Sequence, residues 1–109
     1  MGKMQKEKGD RFQALVNNLI SSTLGVMVVT NPSQHGRNAG RDHLTPIPFC
    51  IQSQHAKRIE PYKKLREAKG SAGPNELSVA ILRKDRHPII AVMEIGEWLQ
   101  LVAAALRNS

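Results

Sequence analysis

The segment that most limits what this chain can become is a short strand, then a helix, then strand again. Ile47, Phe49 and Ile51 alternate with Pro48, Cys50 and Gln52, which is the two-residue period of a strand. That alternation sends the apolar set toward a core and lines Cys50, Gln52 and Gln54 along the opposite face. Glu60-Pro61 then opens a helix, because proline fixes φ near the helical value and lacks only an N–H that a first turn leaves unpaired. Two further strands are expected at 77–82 and 88–93, around the charged turn Arg83-Lys84-Asp85-Arg86-His87. Strand, helix and strand in succession require a crossover connection. The expectation is a single compact α/β domain with a mixed sheet and helices on its faces.

Upstream, residues 1–9 read as a flexible basic arm and 10–109 as the domain. Phe12, Leu15, Val16, Leu19 and Ile20 fall at helical spacing, so a first helix is expected over 10–24, ended by Gly25. The apolar run 26–30 reads as a buried strand, and 31–46 as a loop punctuated by Pro32, Gly36 and Gly40 and carrying Gln34, His35, Arg37 and Arg41. The second helix is basic, with Tyr62, Leu65 and Ala68 as a thin apolar stripe among Lys63, Lys64, Arg66 and Lys69. A last helix from about Gly96 presents Ile95, Trp98 or Leu99, Val102 and Leu106 at helical spacing, with Ala103, Ala104 and Ala105 as material for a dimer interface.

Charge is informative through its placement. The net +7 comes from four basic and two acidic residues in 1–30, eight and three in 31–70, and four and four in 71–109. A cationic middle third suits a polyanion, since neutralised phosphates release counterions and supply much of nucleic-acid affinity. Arg37, Arg41, Lys57, Arg58, Lys63 and Lys64 are the candidate phosphate contacts. Aromatic residues make up 4% of the chain, too few for base recognition on stacked rings. The single Cys50 suits a reducing compartment and is expected as a core thiol. With His35, His43 and His55 it lacks the paired spacing of a structural zinc site. No apolar run reaches membrane-spanning length, and no signal-type core follows the charged N-terminus, so the expectation is a cytoplasmic protein with no membrane contact.

Several short motifs, taken in order, resemble a known family: Lys8-Gly9-x-Arg11, Gly40-Arg41-Asp42, Phe49-x-Ile51-Gln52-x-Gln54, the basic helix with Ala68, Ile81-Leu82-Arg83, and Ile90-Ala91-Val92-Met93 before Trp98-Leu99. Together they resemble the PD-(D/E)XK nuclease superfamily, and within it the small Holliday junction resolvase-like proteins of phages and prophages. The resemblance implies a restriction-endonuclease-like mixed sheet flanked by helices, a homodimer, branched or duplex DNA as partner, and a bacterial host cell. It also implies a catalytic pocket at Gln13, Asp42, Gln52 and Gln54, served by Mg2+ or Mn2+. At these positions the family pattern has an acidic residue on the first helix, an aspartate, a second acidic residue and a lysine. Asp42 alone keeps the family's residue and is the implied metal ligand.

A hard divalent cation is held by anionic oxygens, whereas glutamine offers one neutral carbonyl oxygen. Two carboxylates exchanged for amides remove most of the charge that would hold the ion, and loss of the lysine removes a cation that could orient the attacking water. The metal is therefore expected to be weakly held or absent, although Lys57 or His55 could stand in for the lysine. Three readings follow: a DNA-binding nuclease-like protein with a degraded metal site, an active metal-dependent structure-selective endodeoxyribonuclease, and a protein-interaction module whose charge serves an acidic partner.

Overall fold

A computed structural model describes residues 2–32 and 41–108, with side chains from Glu7 onward. Helix α1 spans Gly2–Leu24. It therefore takes in most of the segment expected to be an arm and begins eight residues before Asp10. Met4, Gln5, Lys6, Glu7 and Lys8 are all good helix formers. Gly9 does not interrupt the helix, since a single glycine costs only about 1 kcal/mol in a helix interior. The helix ends at Gly25, whose φ of +68° is the left-handed cap that glycine adopts without penalty, its N–H reaching Ser21 O at 2.8 Å.

The expected buried strand over 26–30 shrinks to β1, Val29–Thr30, with Met27 exposed. Its partner lies inside the expected loop. β2, His43–Leu44, pairs antiparallel with it, Val29 opposite Leu44 and Thr30 opposite His43. β3 runs Phe49–Ala56, starting later and ending later than the alternation suggested. Pro46 and Pro48 cannot donate to a ladder, and Phe49 N–H folds back onto Ile47 O at 2.8 Å.

The crossover is as expected. Helix α2, Pro61–Ser71, connects β3 to β4, Leu77–Lys84, and the two strands pair in parallel from Phe49 opposite Leu77 to Ala56 opposite Lys84. β5, Ile90–Val92, adds antiparallel to β4 and leaves the mixed sheet in the order β3-β4-β5. Helix α3, Ile95–Arg107, closes the chain. Among the described residues the domain is thus α/β, with three helices, a mixed three-stranded sheet and a two-stranded one. No helix among them is long and apolar enough to cross a membrane.

Strand β3 is covered on both faces, including the polar one expected opposite the core. Its odd positions meet α1: the His55 ring packs on Phe12 with centroids 5.4 Å apart, and Ser53 reaches α1 through His43. Cys50, Gln52 and Gln54 do share the other face, but α2 packs there and Cys50 and Gln52 are buried. Phe12 and Val16 from α1, Leu65 and Ala68 from α2, and Ile51, Val79, Ala80 and Leu82 from the sheet form the core.

Candidate functional site

Of the expected pocket residues only Asp42 and Gln52 meet where β2 joins β3, whereas Gln54 lies toward the end of β3 and Gln13 on α1, the helix that packs on the opposite face of that strand. Asp42 brackets Gln52: its N–H donates to Ile51 O at 2.9 Å, and its Oδ2 accepts from Ser53 N–H at 2.9 Å. Its own carbonyl accepts from Asn31 N–H at 2.9 Å. Asp42 is only 8% exposed, and burial raises the pKa of its carboxyl, opposed chiefly by the Ser53 amide and then by the charge of Lys64. Oδ1 takes no hydrogen bond among the described residues.

Gln52, expected in the acidic position, is 2% exposed, and its Oε1 has no hydrogen-bond partner among the described residues. Such an orphan costs about 1–3 kcal/mol. Gln54 is fully engaged. Its Oε1 accepts from Glu60 N–H at 2.8 Å and its Nε2 donates to Glu60 Oε1 at 3.3 Å, which ties the end of β3 to the start of α2. A lysine could not accept from that N–H. Gln13 lies half-buried on α1, one turn before Asn17, with no hydrogen bond to the other three among the described residues.

These donors do not fit a resident divalent cation. One carboxylate oxygen and one neutral amide oxygen are free, the Gln54 oxygen is taken, and no group of three His, Cys, Asp or Glu side chains that could hold a metal occurs among the described residues.

Sequence reasoning missed the relay beside them. Asn17 Nδ2 donates to Thr30 Oγ1 at 3.0 Å, which leaves its Oδ1 as the acceptor facing His43 Nδ1 at 2.6 Å. His43 is therefore protonated on Nδ1, and its Nε2 accepts the Ser53 hydroxyl at 2.9 Å, in preference to Asp42 Oδ2 at 3.5 Å. The order serine, histidine, asparagine has the form of a nucleophile and its base. Here His43 is 0% exposed, and burial lowers its pKa to about 4, so it is a poor proton acceptor with no route to a substrate. The relay pins α1, β1, β2 and β3 together. No local pattern could have revealed it, since Asn17, Thr30, His43 and Ser53 meet only through strand pairing. Cys50 is an inert core thiol, its pKa pushed up to about 11 by burial.

The expected phosphate contacts divide. Arg41 is committed elsewhere: Nη1 donates to Glu76 Oε2 at 2.9 Å, and Nη2 donates to Glu76 Oε1 at 2.5 Å and to Ser71 O at 3.0 Å. That fork raises the Arg41 pKa and lowers that of Glu76, and it fastens the start of β2 to the connection after α2. Lys63 faces Glu60 at 3.8 Å and Lys64 faces Glu67 at 3.3 Å. Lys57 and Arg58 are exposed and meet no carboxylate among the described residues. Arg37 lies outside the described residues, as do Gln34 and His35.

Compared with known proteins, the chain matches no family model, no curated protein and no solved structure.

Proposed function

We propose that this is a DNA-binding protein of phage or prophage type, built like a nuclease of the PD-(D/E)XK kind, which holds branched or duplex DNA in the cytoplasm of a bacterial host without cutting it. The observation that carries the reading is Asp42 clasped across Gln52 at the β2–β3 junction, a loop carboxylate over a strand residue. The resemblance asks for a metal ligand and an acidic partner in that place. The second residue is instead a buried amide with an unpaired oxygen, as expected where a carboxylate and its cation have been replaced. The connection β3–α2–β4, with the site at the edge of the parallel pair, agrees with the element order that the resemblance implies.

The DNA is held by charge rather than by stacked rings, because aromatic residues make up only 4% of the chain. A second copy of the chain is the partner of α3. That helix is amphipathic yet buries none of its residues, and Ile95 and Trp98 are 68% and 49% exposed. It continues onto β5, whose outer edge pairs with no strand among the described residues and where Ile90 is also exposed. Its only charged side chains are Glu97 and Arg107, so two cationic molecules can meet there with little repulsion.

The test is incubation of four-way junction, duplex and single-stranded DNA with the protein and Mg2+ or Mn2+, beside Asp42→Ala. Intact DNA in every lane is the expected result. Metal-dependent cutting that disappears in Asp42→Ala would establish the active endonuclease instead.

A further inference from the structure

We propose that the DNA backbone lies along the edge formed by the carboxyl ends of β3 and β4, gripped by Lys8, Arg11, Lys57, Arg58, Arg83 and Arg86. This deepens the DNA-binding reading and rests on it. The parallel pairing sets His55 opposite Arg83 and Ala56 opposite Lys84, so Lys57 and Arg58 leave β3 on the same edge where Arg86 leaves β4. Helix α1 adds the rest, since Lys8 forms an ion pair with Asp85 and Phe12 packs on His55. Two hollows open along this edge. One of about 590 Å3 is lined by Lys8, Ser53, Gln54, Lys57, Arg58 and Glu60, and one of about 180 Å3 by Lys8, Arg11, His55 and Arg83. In open α/β sheets, ligands bind beyond the carboxyl ends of parallel strands.

Basic side chains outnumber acidic ones there, Asp85 and Glu60 being the carboxylates along the edge, an excess that linear sequence conceals. Residues 71–109 balance four basic against four acidic side chains, but three of the acids are spent elsewhere. Glu76 is held by Arg41, Glu94 pairs with Lys69, and Glu97 accepts from Ser78 N–H at 2.6 Å. Only Asp85 stays with Arg83 and Arg86. Its carboxylate sits between Lys8 and His55, with Oδ1 3.1 Å from His55 Nε2, where an anionic phosphate oxygen would find the same two partners. Helix α2 differs, for Lys63, Lys64 and Lys69 each face a carboxylate of their own.

The experiment is a fluorescence-anisotropy titration of labelled duplex DNA with the full chain, over a range of salt concentrations. Wild type is compared with Lys57→Ala/Arg58→Ala, Arg86→Gly, Asp85→Asn and Lys63→Ala/Lys64→Ala, circular dichroism confirming that each is folded. The first two variants should bind about tenfold more weakly, their salt slopes falling by about 0.9 for each phosphate no longer neutralised. Asp85→Asn, which removes a competing anion, should bind more tightly. Arg86→Gly suits the backbone, since Arg86 has φ +67°. If wild type binds, and the edge variants match it while Lys63→Ala/Lys64→Ala loses affinity, the footprint lies on α2 and the proposal is overturned. If wild type itself shows no salt-sensitive binding, the DNA reading fails as well, an outcome distinct from a misplaced footprint.

Discussion

His43 is enclosed on every side and stays neutral down to about pH 4, while histidine in an unfolded chain protonates near 6.5. Between these values the unfolded state binds more protons, so stability is complete above 6.5 and falls as pH drops, by about 1.4 kcal/mol per unit. Asp42 contributes with the opposite sign and in the carboxylate range, because burial raises its pKa. Urea midpoints should therefore fall from pH 7 to about 5, and His43→Gln should flatten that slope; an equal slope in the variant would contradict the assignment. Gln52→Met removes an orphaned acceptor at nearly constant volume, so it should be neutral or stabilising by about 1 kcal/mol. A loss above about 2 kcal/mol would mean that Oε1 is satisfied after all. The amides at 13, 52 and 54 were plain in the sequence as departures from a metal site. That Gln54 is a latch on Glu60 and Gln52 an orphan was not, because neither role depends on near neighbours alone.

The elements divide by the range of the forces that make them. The start of α2 was legible from Glu60-Pro61, since proline's fixed φ acts within one residue. The β3–α2–β4 crossover followed from element order alone. The β1–β2 pair was not legible: two residues on each side give no periodicity, and pairing closes a long connection that sequence pattern does not encode. What holds β2 in place is the Arg41–Glu76 fork together with the Asn31 side chain, whose Nδ2 donates to Arg41 O at 2.8 Å. Arg41→Ala should cost about 2 kcal/mol, and Arg41→Lys should recover little of it, since lysine cannot make both bonds to Glu76 and reach Ser71 O as well. Chemical denaturation of the two variants measures this, and full recovery by lysine would argue against the forked geometry.

At the scale of the whole molecule, two surfaces differ in their charge. Cations that lie far apart in the chain converge at the carboxyl edge of the sheet, whereas α3 and β5 carry the exposed Ile90, Ile95, Trp98 and Leu99 with little charge. Sequence-local counting placed the positive field in 31–70, and only the fold moves part of it to Lys8, Arg11, Arg83 and Arg86. A homodimer through α3 predicts that Trp98→Glu converts a sedimenting dimer into a monomer with unchanged circular dichroism, whereas a wild-type monomer would remove the second copy from the account. The central claim is that this cationic surface serves DNA, and its most direct measurement is the affinity for four-way junction and duplex DNA as a function of salt. The account predicts a steep linear fall of log K with log salt, carried by the phosphate contacts. Binding that is absent, or that does not change with salt, would contradict it.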